Sequence, residues 1–480
     1  MKIARLVLYP VLLTSALACA QNESRLHRDF RVEGESLDSC VKFSFGNLTT
    51  CGQTLVMGQP MHITVGSLAP DDGIAAGLAF VEHKDFTDEW RANWDVDAQA
   101  TPNGSWRAGA YMKAYRLPSG LTYRVAPLYN FYSQSISLTR VDYYGLGPNT
   151  PLAAHTTYGF SENITGANAA FPLKIGKSGP KIAIVAELNG RFPSVRDGSD
   201  ATIPSISQLF TESTAPGLAR QPAYFQPSEG IRIYPAFFKD RIRLNYLLQF
   251  QQFVAPGDSS YSFRRWNGDF SHEIPLYSWL PKKLSRDYYP NRASQFQYTG
   301  PDDCTGSNAS RNISLAHAAT TKPNPAVPCP IISTAQKLEG SITMRAYMSE
   351  SFAGRGSTVP FYLSPTIGGS DINGTPMLAS YPDYRFRGPD LLLFSGQIEH
   401  SLGKLPLGLF FAADEGKIGL QRGDVSLDHL RHTFSAGLTV HAGGLPLIYF
   451  SYAWGGGEGT HTTATISPTL LGGSSRPSLF

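Results

Sequence analysis

The residues of this chain with the widest chemical repertoire are its 11 histidines, its five cysteines and a few carboxylates set in otherwise apolar segments. His155, His272, His400, His432, His441 and His461 are scattered among apparent strands and turns, with no serine elbow, no His-Glu-x-x-His and no Asp/His cluster. A hydrolase with Ser, His and an acid on neighbouring strands stays open as an alternative; polar strand or rim residues are the simpler reading, and no catalytic residue is assigned. Cys40 and Cys51, and Cys304 and Cys329, form two sequence-local pairs flanked by turn residues. They read as two loop disulfides, each contributing roughly 3 kcal/mol by restricting the unfolded chain. Neither pair has a ligand at metal spacing, so neither a metal nor another cofactor is expected. The acids are more telling. In "DLLLFSGQIEH", period two puts Ser395, Gln397 and Glu399 on one face and Leu392, Phe394 and Ile398 on the other. Asp414 shares its face with the small residues Gly408, Ala412 and Gly416. A carboxylate on such a face needs water or a cation.

The elements that must hold these acids are strands. Ile242, Leu244, Tyr246, Leu248 and Phe250 alternate with Arg241, Arg243, Asn245, Gln249 and Gln251. "KIAIVAELNGR" and "LIYFSYAW" repeat the pattern, and 46 Gly with 23 Tyr suit strands and turns. A soluble β-sandwich would bury the apolar row against a second sheet. About ten such segments, with aromatic residues near their ends and charged residues in the polar row, match instead a transmembrane antiparallel β-barrel. The length suits sixteen strands of about ten residues each. The balance of 41 Lys+Arg against 38 Asp+Glu, without a basic run, excludes nucleic acid as an expected partner.

Residues 1–20 read as a signal peptide: Lys2 and Arg5, an apolar core, and Ala18-Cys19-Ala20 before Gln21. Lipidation of Cys19 is the rival. Residues 21–58 are expected to be a short periplasmic segment and 59–480 the barrel. Asn22, Asn47, Asn103, Asn163, Asn308, Asn312 and Asn373 each begin an Asn-x-Ser/Thr triplet, which would be glycan sites in a eukaryotic secreted chain and carry no meaning in a bacterial one.

"VPFYLSPTIGGSD" (Val359 to Asp371), "YPDYRFRGPDLLLFSGQIEH" and "LPLGLFFAADEGKIG" follow in an order that resembles the C-terminal part of the bacterial surface antigen family, the BamA/TamA-like barrels of outer-membrane protein assembly and secretion. "VDYYGLGPNT" and "YSFRRWNGDFSHEIPLY" resemble upstream parts of the same family, and the tract from about 285 to 335, carrying Cys304 and Cys329, looks like an inserted extracellular loop.

The resemblance implies a bacterial outer-membrane barrel with both termini periplasmic and a lumen plugged by the sixth extracellular loop, 353 to 389. In the family, that loop's tip carries an arginine held by acids of the inner wall. Here the tip falls on Leu378, Ala379, Ser380 and Tyr381, with Ala379 at the arginine position, while Glu399 and Asp414 match the wall acids. Arg385 and Arg387 alternate with Tyr384 and Phe386 and are candidates to replace the missing cation; the competing reading leaves both at the rim, solvated or against lipopolysaccharide phosphate. No stretch before the barrel is long enough for a POTRA module. The implied role is insertion or translocation of polypeptides or lipid-linked cargo, with outer-membrane lipid and lipopolysaccharide as surroundings and a separate periplasmic POTRA or lipase protein as partner. A structural or passive-pore barrel is the alternative.

Overall fold

The computed structural model describes residues 25–37, 40, 55, 60–70, 72–87, 90–116, 128–173, 182–238, 241–277, 338–402, 407–442 and 445–466. The expected leader, Cys51, Cys304, Cys329 and the tract 285–335 lie outside them. The chain divides into two units, Met1–Leu55 and Val56–Phe480. The first contains a helix, α1 (Arg25–Leu37), with an exposed Arg31–Glu35 pair one turn apart at 3.0 Å.

The second unit is a large antiparallel sheet in which each long strand pairs with the next. β1 (Met61–Ser67), β2 (Ile74–Thr87), β3 (Trp90–Ala100), β4 (Trp106–Arg116), β5 (Leu128–Tyr143), β6 (Thr156–Leu173), β7 (Ile182–Asp197) and β8 (Tyr224–Ile233) form the first run. After the short β9 (Ala236–Phe237), β8 pairs with β10 (Ile242–Phe253), which leads to β11 (Phe263–Tyr277) and β12 (Leu338–Ala353). The segment 354–389 follows, containing the two-residue strands β13 (Thr366–Ile367) and β14 (Phe386–Arg387), which pair with each other, while Arg387 also bridges to Gly147. The meander resumes with β15 (Asp390–Ser401) beside β12, then β16 (Leu407–Gly419), β17 (Arg431–Ala442), β18 (Leu445–Trp454) and β19 (His461–Ile466).

The two faces invert the usual rule for a water-soluble sheet. On β3 the buried row is Arg91, Asp95, Asp97 and Gln99, while Val96 on the other face is exposed. On β15, Glu399 is buried and Phe394 and Ile398 are exposed. Strand periodicity therefore sorts polar side chains inward and apolar ones outward. Towards one end of the sheet the buried row turns apolar: Ile136, Leu138, Tyr158, Phe160, Tyr224, Phe253 and Phe263 join a core with Phe361, Tyr362 and Leu363 of the segment 354–389.

Antiparallel succession also fixes which connections share an end. Those joining β1 to β2, β5 to β6, β12 to β15, β16 to β17 and β18 to β19 lie together, and those joining β2 to β3 and β11 to β12 lie at the other end. The strands flanking the expected insertion, β11 and β12, thus open at the end opposite the segment 354–389. Consecutive connections of a meander alternate in this way; the tract 285–335, expected to be an extracellular loop, itself lies outside the described residues.

Candidate functional site

A segment that runs through a protein interior must satisfy its own backbone. Residues 354–389 do so by folding back on themselves. Gly368 donates to the Met377 carbonyl at 2.8 Å, Met377 donates to that of Gly369 at 3.1 Å, and Tyr384 donates to that of Gly368 at 3.1 Å. The reversal needs left-handed backbone at Gly368 (φ 113°) and Gly369 (φ 59°), and a side chain at Gly368 would strike Arg385 Cβ and the Pro382 carbonyl. Two carboxylates supply further acceptors: Asp371 for the N–H groups of Asn373 (3.0 Å) and Thr375 (2.7 Å), and Asp383 for that of Ser370 (2.6 Å). Burial, with the Asp383 carboxylate beside it, holds the Tyr384 phenol protonated, well above its ordinary range.

The sheet grips the segment at three places. The first is aromatic. Phe361 lies against Tyr143 and Tyr158, with ring centroids 5.0 and 5.1 Å away. Arg265 of β11 donates to the Leu363 carbonyl at 2.5 Å and to Ser351 Oγ at 3.0 Å, its guanidinium 5.2 and 5.3 Å from the ring centroids of Phe253 and Phe263, which stack on each other. Arg387 closes this end from within the segment. Its Nη1 donates to the Phe361 carbonyl at 2.9 Å, its own carbonyl accepts from Gly147 at 2.7 Å, and its guanidinium faces the rings of Tyr143, Tyr158 and Phe361.

The second grip is Arg385, which is almost fully buried. Its Nε and Nη2 hold both oxygens of Glu458, at 2.7 and 2.9 Å, and its Nη1 and Nη2 hold the hydroxyl and carbonyl of Thr150, at 2.8 and 2.7 Å. The guanidinium also lies over Tyr144 and Phe386, at 5.0 and 4.6 Å from their centroids. Thr150 belongs to the β5–β6 connection and Glu458 to the β18–β19 turn, so one fork ties the segment to two distant hairpins. Arg431 of β17 covers the other side of Phe386 at 4.1 Å and donates to the Pro148 carbonyl at 2.6 Å.

The third grip is the tip. Leu378, Ala379, Ser380 and Tyr381 are all buried. The Asp414 carboxylate accepts the Ser395 hydroxyl and lies beside the Leu378 backbone, and the Ser380 N–H donates to Thr433 Oγ1 at 3.0 Å. Gly416 gives the space for this: a side chain there would reach Leu393 Cδ1 at 3.0 Å and Ile367 of the segment at 3.5 Å.

The structure brings Leu378, Ser380, Asp414 and Gly416 into one contact region. Glu399 lies elsewhere, four residues beyond Ser395 or roughly 13 Å along the strand, where it accepts from Thr439 at 3.2 Å. Arg385 anchors the segment through Glu458, an acid that strand reasoning passed over because it stands in the turn "GGGEGT", far in sequence from its partner. Thr150 stands in a connection too, whereas Arg265 and Thr433 are strand residues whose partners in the segment are distant in sequence. His155 faces Asp142 at 3.1 Å and stacks on Tyr144, and His461 lies 4.0 Å from Asp383. Among the described residues no group of three His, Cys, Asp or Glu side chains is placed to hold a metal. The arrangement is chemically a seat: forks, rings and backbone donors that hold a chain segment in place.

No family model matches this sequence, and no curated protein matches it. Among solved structures the chain is similar to BamA from Haemophilus ducreyi lacking POTRA domains 1–3, with a TM-score of 0.45 and 11% identity over 85% of this chain and 70% of that one. It is also similar to CdiB from Escherichia coli, with a TM-score of 0.44 and 12% identity over 82% of this chain and 58% of that one. For CdiB from Acinetobacter baumannii the TM-score is 0.40 and the identity 11%, over 82% of this chain and 54% of that one. The chain thus spans little more than half the length of either CdiB protein.

Breaking a buried ion pair from one side costs roughly 3–5 kcal/mol. Arg385→Ala and Glu458→Gln are each expected to increase protease cleavage within 354–389 strongly, and the double variant no further than Arg385→Ala. Arg385→Lys is expected to restore protection only partly, since a single ammonium cannot grip Glu458 and Thr150 together. Limited proteolysis with mass mapping of the cuts checks this; additive effects would contradict the pairing.

Proposed function

We propose that the unit Val56–Phe480 is a sixteen-stranded barrel of a bacterial outer membrane, closed between β1 and β19, and that the segment 354–389 is the internal gate of a path for polypeptide or lipid-linked cargo. The observation that carries the membrane reading is the inverted sheet. Leu78, Val96, Phe131, Leu188, Ile398 and Leu438 are among many large apolar side chains left exposed, while Arg91, Glu162, Arg191 and Asp414 are buried. Exposed apolar surface on this scale is explained by hydrocarbon around the sheet. Aromatic groups supply both margins of the band: Trp90, Tyr129 and Phe171 at one end, Phe434, Tyr452 and Trp454 at the other.

What supports a gate over a passive pore is the seat itself. The segment fills the interior with aromatic and charged contacts from β5, β6, β11, β16 and β17, which a permanently open channel has no use for. The resemblance of residues 359–416 to the surface antigen family supports the transport role, and a separate periplasmic POTRA or lipase protein would supply the handling of cargo. The replacement of the tip arginine by Ala379 favours the second reading, a barrel that kept the plug and lost transport, because the tip then brings no cation of its own to Asp414.

Three measurements test this. The mature chain is expected in the outer-membrane fraction, migrating faster on gels unheated than boiled; recovery as a soluble periplasmic protein would refute the barrel. An impermeant thiol reagent is expected to label Leu427→Cys on intact cells above the unsubstituted chain, and Thr87→Cys only after permeabilisation, because the two lie at opposite ends of the meander. In planar bilayers the unsubstituted protein is expected to be nearly closed and Arg385→Ala to raise single-channel conductance several-fold. A large, steady conductance of the unsubstituted protein would replace the gate by the passive pore.

A further inference from the structure

The outward row of β5 and β6 breaks the apolar band. Beside it, Val96 on β3 and Trp106 on β4, and Leu188 and Phe192 on β7, are exposed at 54%, 43%, 47% and 55%. Between these flanks the outward side chains are Ser133, Ser135 and Ser137 on β5 and Asn163 and Thr165 on β6. They stand at the same level as the apolar groups: Ser137 pairs with Trp106, and Asn163 with both Ser135 and Phe192. Part of their hydrogen-bonding capacity is met locally, by Ser133 with Thr165 at 2.9 Å, by the Ser135 hydroxyl on Asn163 Oδ1, and by Arg196 on Ser137 at 3.0 Å. The amide N–H groups of Asn163 have no partner among the described residues. In contact with acyl chains such groups are costly, since hydrocarbon neither donates nor accepts.

We propose that this strip is the contact between two copies of the chain in the membrane. The inference rests on the membrane reading above. The choice of a second copy follows from the chemistry of the strip. Serine, threonine and asparagine each donate and accept, and Ser133, Ser135, Ser137, Asn163 and Thr165 are uncharged; Arg196 reaches only the Ser137 end, where the Leu138 carbonyl also accepts from it, so the rest of the strip is its own complement. A two-fold axis along the membrane normal carries each level onto the same level of the partner, which sets Asn163 and Ser135 against their own kind. The neighbours let two sheets approach: Ala108 and Ala110 pair with Ser135 and Ser133, and Gly190 pairs with Thr165. Phe131 and Phe192, exposed beside the strip, then pack across the contact.

Cysteine cross-linking in native outer membranes tests this. On oxidation, Ser135→Cys is expected to give a covalent dimer several-fold more abundant than Ala436→Cys, a control on the outward row of β17, and the unsubstituted chain to give none of that species. Asn163→Cys serves as the second position if Ser135→Cys loses the heat-dependent gel shift. In detergent, the combined Ser135→Leu and Asn163→Leu variant is expected to fall from dimer to monomer mass while keeping that shift. Equal cross-linking at residues 135 and 436, an adduct with a different protein, or dimer mass retained in the leucine variant would each overturn the proposal. Outer-membrane fractionation with the gel shift intact, but without the cross-link, would overturn it while leaving the barrel standing.

Discussion

Everything in this structure turns on the cost of placing an irregular chain segment against the polar face of a large antiparallel sheet. Regular strands exchange backbone hydrogen bonds with their neighbours; residues 354–389 have chiefly the two-residue ribbon of β13 and β14 and the Arg387–Gly147 bridge to do so. The rest of the backbone is met by turns built on Gly368 and Gly369, by the carboxylates of Asp371 and Asp383, and by side chains of the wall. Arginines take two carbonyls of the segment, Arg265 that of Leu363 and Arg387 that of Phe361, while Arg385 and Arg431 take those of Thr150 and Pro148 in the β5–β6 connection. Each guanidinium lies over at least one ring, which returns part of its lost hydration.

Asp414 shows how magnitudes decide whether a motif can lose its cation. Burying a carboxylate costs several kcal/mol after relaxation. A hydrogen bond to a charged group contributes about 1.5–3 kcal/mol. The Ser395 hydroxyl therefore offsets part of the burial, and Arg345 of β12 supplies a nearby positive charge. Ala379 is then tolerable at the tip because Asp414 does not depend on a cation from that position.

The alternation of faces was legible from the sequence because it is local: period two in "RIRLNYLLQFQQF" or "DLLLFSGQIEH" needs no knowledge of partners. The acid on the inner face at Asp414 and the room left by Gly416 were legible for the same reason. Which cation meets which acid was not. Arg385 and Glu458 are joined only after the segment folds back and the β18–β19 hairpin closes, and the turn "GGGEGT" carries no pattern that marks its glutamate as a ligand. Facing inward and touching the segment are different properties: side-chain direction, as at Glu399, follows from parity along one strand, whereas contact depends on height in the sheet.

The three grips differ in strength. Arg385 has four short hydrogen bonds and a full counter-charge. Arg387, equally buried, has one hydrogen bond from Nη1, while its Nε and Nη2 have no hydrogen-bond partner among the described residues and face aromatic rings. Ring contacts contribute roughly 0.5–2 kcal/mol each, less than the desolvation of a guanidinium. The aromatic end of the segment is therefore held by packing of Phe361, Tyr362 and Leu363 against a charge that is under-compensated, and the other end by a saturated ion pair. The two ends of the segment are thus held by different means, one by aromatic packing around the Arg387 guanidinium and the other by the fork of Arg385 on Glu458 and Thr150.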